Sequence, residues 1–262
     1  MRTKTAGLTT MLAEERRLKL IEWTRIDGRL DANLAAAKLA VAVETVRRDL
    51  DTLQRRGALR RVHGGAIAND RFTHEFTIPE RMGQNPDKKR VVAEVAAGFL
   101  PEEGCIFVDG GTTTDFLAPF LRDKPKLMVV TNNITLASKL ADSSTQTVVL
   151  GGRIRPATLS SVGAKTVSEV SDYNAVISFI GANGASIPGG VAAFDTDEAQ
   201  VKRAMMNRSA ERILLLDSGK FGPVYPARFA DFKDFDRLVT NLDTDQTYID
   251  SFTREGVEIA LA

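Results

Sequence analysis

The sequence has a single cysteine, Cys105, so no disulfide can form within one chain. Its stability must come from packing, as in proteins of a reducing compartment. Only two histidines are present, His63 and His74, which argues against a histidine-built metal site. No apolar run approaches the roughly 18 residues of a membrane-spanning helix. The stretch MRTKTAGLTTML at the start has two cations but no apolar segment of the secretory kind. Neither G-x-x-x-x-G-K-[ST] nor G-x-G-x-x-G occurs, which removes the two commonest nucleotide-binding loops. Internal repeats and low-complexity tracts are also lacking. These absences fit a cytoplasmic chain with no membrane partner and no histidine-built metal site; the expectation carried forward is no metal, no cofactor and no catalytic set.

The 262 residues are 43% hydrophobic and 26% charged, enough for a core and for one large domain or two unequal ones. A formal net charge of +1 conceals an asymmetry. Residues 1–66 hold 14 Lys and Arg against 8 Asp and Glu, and the remainder holds 21 against 26. A basic head on an acidic body suggests a polyanion-binding unit joined to one with another task, with chance surface variation as the alternative.

Within the head, AEERRLKLIEWTRIDGRL predicts a helix that buries Leu18, Leu20 and Ile21 and stops at Asp27-Gly28. Asp31 is placed to cap a short second helix, ANLAAAKLA. In ETVRRDLDTLQRRGALRRVHGGA, Val46, Leu50 and Leu53 recur at i, i+4 and i+7, an apolar stripe opposite Glu44, Arg48, Asp51 and Arg55. Gly57 is placed to end that helix, and alternation around Gly64-Gly65 predicts a hairpin. Helix, short helix, longer helix and hairpin is the order of a winged helix-turn-helix, predicted over residues 10–68. A recognition helix must fit the major groove while carrying donors on its first turns. Thr45, Arg47 and Arg48 are the candidates there, with Arg60 and Arg61 on the wing and His63 at its tip. The partner is then double-stranded operator DNA. Arginines on a helix also occur as an ordinary solvated face; the hairpin and the helix pair favour the DNA reading.

This stretch resembles the DNA-binding signature of the DeoR family of bacterial transcription regulators, which carries the same T-[VI]-R-R-D-L core, a glycine, then R-V-H-G-G-A. Two positions depart from it. Ala42 stands where a Ser or Thr caps the recognition helix, and Ala35-Ala36 where a Leu-Ala pair is usual. A missing cap oxygen typically costs about 1 kcal/mol.

Residues 69–87 lack periodicity, are punctuated by Pro79, Gly83 and Pro86, and are expected to be a linker, with one patch around Phe72 and Phe76. Residues 88–262 are expected to form the body. Asn85 or Asp87 caps a helix including Val91, Val92, Val95 and Phe99. Short runs of apolar residues follow at 105–109, 126–131, 146–152, 174–181, 212–217 and 237–241. Apolar on successive positions, they predict strands of a parallel sheet buried on both faces, an α/β body. Polar and glycine-rich loops follow these strands, and in such sheets ligands bind outside the carboxyl ends. In DGGTTT, Asp109 and Gly110 precede Gly111, Thr112 and Thr113, a strand-to-helix turn suited to an anion or equally to a structural turn. Asn132 and Asn133 end the next strand. Lys220 in DSGKFG can serve as a point charge for a phosphate. Glu198 is placed to meet hydroxyls, with Asp195 and Asp197 as competitors, and Lys202 reads as its i, i+4 surface partner.

The body is also similar to the DeoR family. DGGTTT, VVTNN, Gly151-Gly152, GANG at 181–184, DEAQVKRAMM at 197–206 and DSGKFG follow its effector-domain order. The resemblance implies a sheet related to ribose-5-phosphate isomerase and CoA transferases, and a phosphorylated sugar or polyol as effector. AFDTDEAQVKRA is somewhat similar to the glycerol-3-phosphate repressor branch, with Ala192-Ala193 replacing the commoner Thr-Thr. The expected function is a repressor of a carbohydrate or polyol catabolic operon, acting as a homodimer or homotetramer and released by its effector. The alternative is an active sugar-phosphate isomerase with a DNA-binding appendage, since Asp109, Glu198 and Lys220 suit proton transfer as well as binding.

Overall fold

A computed structural model describes residues 12–55, 58–68 and 75–262. The chain divides into two compact units, Met1–His74 and Glu75–Ala262. The expected stop at Gly57 and the patch at Phe72 fall outside the described residues.

In the first unit, α1 (Ala13–Asp27) ends at Gly28, whose φ of +69° is the left-handed conformation that glycine tolerates. A strand not anticipated from the sequence, β1 (Arg29–Asp31), follows. Then come α2 (Ala32–Leu39), α3 (Val43–Arg55) and the hairpin β2 (Leu59–Val62) and β3 (Gly65–Ala68). Asp31 caps α2 as expected, accepting from the amides of Asn33 and Leu34. The sheet order is β1-β3-β2, all antiparallel. This pairing explains the two glycines after His63. Gly64 turns the hairpin at φ +80°, and a Cβ on Gly65 would lie 1.8 Å from the Leu30 carbonyl oxygen of β1. Leu20, Leu30, Val46, Leu50, Leu53 and Leu59 form the core. Among them sits a charge the periodicity did not reveal. Asp49, 2% exposed, accepts from Arg16 at 2.5 Å and Arg17 at 2.8 Å, tying α3 to α1.

The second unit begins inside the expected linker. Its first helix, α4 (Ile78–Gly83), starts with Thr77, whose amide donates to Glu80 at 2.8 Å, and has Pro79 in its first turn. T-x-x-E with a proline inside its first turn starts a helix, so Pro79 is not a breaker here. The next helix, α5 (Pro86–Ala97), stops short of Phe99. Asn85 stands at its cap position in a left-handed conformation without capping it; its side-chain amide donates to Asp217 at 2.9 Å instead.

The chain then runs β4 (Gly104–Val108), a 3-10 turn Thr114–Leu117, α6 (Ala118–Leu121), β5 (Leu127–Thr131), α7 (Ile134–Leu140) and β6 (Gln146–Val149). It continues through the hairpin β7 (Arg153–Arg155) and β8 (Ser160–Val162), α8 (Ala164–Val170) and β9 (Ala175–Gly181). The short strands β10 (Gly184–Ser186) and β11 (Gly190–Ala193) precede α9 (Thr196–Asn207) and β12 (Ser209–Leu215). After a 3-10 turn Ser218–Lys220 come β13 (Ala227–Ala230), β14 (Arg237–Thr240), α10 (Gln246–Arg254) and β15 (Glu258–Leu261). Seven strands form one parallel sheet in the order β15-β14-β12-β9-β4-β5-β6, and β10-β11-β13 form a small antiparallel one. Phe107, Val130, Ile180 and Leu214 face one core, with α8, α9 and α10 residues. Ile106, Val108, Val129, Phe179 and Ile213 face the other, with α5, α6 and α7 residues. Both faces are buried, as a parallel sheet requires.

One further expectation needs correction. The turn after DGGTTT leads into a 3-10 turn and a four-residue helix, so no long α-helix begins there. On α5, Val91 is exposed and Lys89 is fully buried, because Val92, Ala93 and Ala96 define a stripe that includes residue 89. The Lys89 ammonium donates to the Arg81 carbonyl oxygen. Burial pushes its pKa down to about 8, against the pull of the Asp217 carboxylate and with help from the Arg81 guanidinium. Between about pH 8 and 10.5 the unfolded chain therefore holds the extra proton, so stability rises with pH through that window. Relative to Lys89→Met, the parent is expected to gain up to about 3 kcal/mol on passing from about pH 7.5 to about pH 10.5. Denaturant unfolding followed by circular dichroism measures this, and a difference that stays flat across the window counts against it.

Candidate DNA-reading surface and effector crevice

On the first turns of α3, Arg47 and Arg48 are exposed and Thr45 is half-buried. Arg47 lies 3.5 Å from Glu44 on the same helix face. Arg60 and the turn residue His63 are exposed on the wing. Arg61 differs from the expected outward wing cation. Its guanidinium donates to Asp51 at 2.7 Å and to the Arg47 carbonyl oxygen at 3.0 Å, and its amide donates to Gln54 at 2.7 Å. It fastens the wing to the recognition helix. Asp51 stays exposed while it holds Arg61, so the solvated side of the helix also anchors the wing.

In the body all seven parallel strands end at one edge. The chain lays down β4, adds β5 and β6 on one side, then crosses back to place β9 on the other. The strand order reverses between β4 and β9, the position where an open α/β sheet leaves a crevice. Asp109 ends β4 at this reversal, 1% exposed, and accepts from the Gly181 amide at 3.1 Å, joining the two strand ends. Its carboxylate is in contact with the Lys202 ammonium, 3% exposed, which also lies 5.8 Å from the Phe229 ring centre. Burial pushes the Asp109 carboxyl above its ordinary range, opposed by Lys202 and by the Gly181 amide.

Lys202 is thus no surface partner. Glu198, Lys202 and Met205 share the buried stripe of α9, and Glu198 is 6% exposed. Asp195 caps α9 by accepting from the amides of Asp197 and Glu198, and Asp197 pairs with Arg153 at 2.7 Å. Arg155, which the sequence reading passed over, contacts Glu75 and lies 3.3 Å from Asp195 and 3.4 Å from Glu198. Those carboxylates raise its pKa further above the ordinary arginine value, against the opposing effect of burial.

The hairpin β7–β8 closes over the same edge. Ser160 bridges to Asn133, and the Ser161 amide donates to the Asn132 carbonyl oxygen at 2.9 Å. Asn132 accepts from the Gly110 amide at 2.8 Å and donates to the Ser161 carbonyl oxygen at 3.0 Å. Asn133 caps α7, accepting from the amides of Thr135 and Leu136. Both asparagines are therefore committed to holding loops. Gly111, Thr112 and Thr113 are buried in the loop after β4, and Thr114 donates to the carbonyl oxygens of Asp109 and Gly111. Lys220, 8% exposed, lies in the 3-10 turn after β12, the strand beside β9. Asp109, Gly110, Asn132 and Glu198 belong to one connected network; Lys220 stands on the neighbouring strand end. A separate concavity lined by Ile187, Asp231, Phe232, Lys233 and Glu255 lies at the amino ends of β14 and β15, opposite this edge.

The DeoR C terminal sensor domain matches residues 84–242, and the DeoR-like helix-turn-helix domain matches residues 16–72. The chain belongs to the DeoR family. It is a DNA-binding transcriptional regulator. The HTH-type transcriptional regulator GlpR of Haloferax volcanii is 32% identical, over 95% of this chain and 96% of that protein. The glycerol-3-phosphate regulon repressor of Haemophilus influenzae is 28% identical, over 86% of this chain and 88% of its own. Among solved structures, ribose 5-phosphate isomerase A of Neisseria gonorrhoeae matches with a TM-score of 0.38 and 18% identity, covering 51% of this chain and 52% of its own. A likeness of that size carries no argument, and the α/β assignment rests on the sheet itself. No helix among the described residues is long and apolar enough to cross a membrane.

Removing one partner of a buried ion pair leaves the other charge uncompensated, typically at a cost of about 3–5 kcal/mol. Lys202→Met is expected to lower the stability of the body by about that amount, and Asp109→Asn added to it to restore most of the loss. Chemical denaturation of the three proteins measures the coupling; strict additivity would show that the two side chains do not depend on each other.

Proposed function

We propose that this regulator represses a carbohydrate or polyol catabolic operon and leaves its operator when a phosphorylated sugar or polyol binds at the carboxyl edge of the sheet. The observation that carries this reading is the set of groups gathered at the β4–β9 reversal, where open α/β sheets bind ligands. It combines buried charged groups, Asp109, Lys202 and Glu198, with a glycine-threonine turn and with Lys220 on the next strand end. A phosphate would lie against Gly111, Thr112, Thr113 and Lys220, and hydroxyls would meet Asp109 and Glu198, with Asn132 holding the Gly110 loop in place. Such ligands pair one dianionic group with several donors and acceptors, which this mixture suits. The name of the Haemophilus influenzae relative, a glycerol-3-phosphate regulon repressor, supports the same ligand class.

Release of DNA requires that the ligand prefer an arrangement of the heads that does not fit the operator. A coupling of about 1–3 kcal/mol weakens operator binding roughly 5–150-fold. Thermal shift against a panel of three- to six-carbon sugar and polyol monophosphates finds the effector, because a specific ligand stabilises the native state. With that panel member, Lys220→Ala is expected to keep operator binding and lose the response. An unchanged dose-response would show that the phosphate lies elsewhere.

Operator recognition is assigned to Thr45, Arg47 and Arg48 on α3, with Arg60 and His63 on the wing, and Arg61 in support. Arg48→Ala is expected to weaken binding by about 1–3 kcal/mol if it reads a base, with the melting temperature unchanged. Anisotropy titrations showing parental affinity in Arg47→Ala, Arg48→Ala and the double variant would remove α3 from that role. Paired half-sites call for paired heads, so a homodimer or homotetramer is expected. Sedimentation that finds only the 28.5 kDa species, on and off DNA, would exclude it.

A further inference from the structure

The guanidinium of Arg155 holds three carboxylates at once. Glu75 is engaged through both of its oxygens, one of them at 2.6 Å. Asp195 and Glu198 lie at 3.3 and 3.4 Å. The Arg155 side chain is 12% exposed, Glu75 11% and Glu198 7%, so this is a buried cluster with more acid than base. Crowding like charges in a weakly solvated place is costly, and the cluster gains if one acid leaves and neutral hydroxyls replace it.

The three acids are not equally able to leave. Asp195 and Glu198 are fixed on the first turn of α9, and one Asp195 oxygen is committed to capping that helix. Glu75 lies in an irregular stretch, residues 75–77, and is the first residue of the body. The chain passes from it through residues 69–74 into the DNA-binding unit. Arg155 is also tied to the crevice on two sides. Glu198 lies one helical turn from Lys202, the partner of Asp109. Across the hairpin, Arg155 pairs with Ser160, whose hydroxyl occupies the place a Cβ on Gly110 would need, 2.1 Å away.

We propose that Glu75 is a built-in competitor for the effector: hydroxyl oxygens of the bound sugar or polyol take its place on Arg155, and its release changes how the DNA-binding unit is tethered. This rests on the effector reading given above. It adds Arg155 as a hydroxyl-recognising residue and Glu75 as the group that reports occupancy. Arginine suits the exchange because its planar fork of N–H groups donates to a carboxylate or to a pair of hydroxyl oxygens in the same geometry. Asp195 and Glu198 then accept hydrogen bonds from the same hydroxyls.

The test uses the full chain, an operator fragment selected by the parent protein from random DNA, and the same panel of sugar and polyol monophosphates. Glu75→Gln keeps the shape of the side chain and removes its charge. With no phosphate ester present, it is expected to bind the operator more weakly than the parent. It is also expected to bind the stabilising panel member more tightly, by a similar factor of about fivefold or more, since coupling between two sites is reciprocal. Glu75→Asp, which withdraws the carboxylate, is expected to move both affinities the same way by less. Affinities for operator and panel member within twofold of the parent in both variants would overturn the inference while leaving the effector reading in place. A panel that stabilises neither parent nor variant would overturn the effector reading, and this inference with it.

Discussion

A carboxylate at the end of the central strand cannot be left alone in the interior, and much of the body follows from how Asp109 is accommodated. It sits at the point where the strand order reverses, almost fully removed from water. The ammonium that meets it comes from α9, far along the chain, so the contact fixes the rotation of that helix against the sheet. With Lys202 turned inward, Glu198 one turn earlier must face inward as well, and Arg155 on the neighbouring hairpin meets it. The groups gathered at this end of the sheet are held by one another, so their geometry is set by the fold itself.

The head solves a comparable problem on a smaller scale. Asp49 lies on the buried side of the recognition helix, and two arginines from the first helix close on it. Positive charge that looked in the sequence like a uniform basic surface is therefore divided. Arg16 and Arg17 serve the interior, Arg61 secures the wing, and Arg47, Arg48 and Arg60 remain exposed.

The strands were legible because a parallel sheet buried on both faces needs successive apolar residues, and six of its seven strands contain such a run, even the edge strand Gln146–Val149 through Val148 and Val149. The seventh, Glu258–Leu261, lies at the sheet edge with only partial burial, and its three successive apolar residues make a run too short to stand out. The winged head was legible from the apolar stripe of Val46, Leu50 and Leu53 and from the double glycine. Lys202 was misread because the i, i+4 rule identifies neighbours on a helix without saying which side faces inward; the flanking Ala199, Val201 and Met205 carried that information. Arg155 and Glu75 gave no local sign, since their roles depend on partners dozens of residues away. The helix at 78–83 was signalled by T-x-x-E, but its proline was weighed as a breaker.

The order of the large sheet has a kinetic consequence. Its two central strands meet through Val108 and Phe179, with the whole of β5 to β8 lying between them in the chain. The middle of the sheet exists only after that long loop has closed, and loop-closure entropy makes such nonlocal pairing slow. In the head, Arg61 pairs with Ala66 and Asp31 with Gly65, contacts that span far shorter loops. It also leaves the ribosome first. The winged unit therefore has its sheet partners while the sensor domain is still being assembled, and a nascent chain passes through a stage in which the head is folded and the body is not.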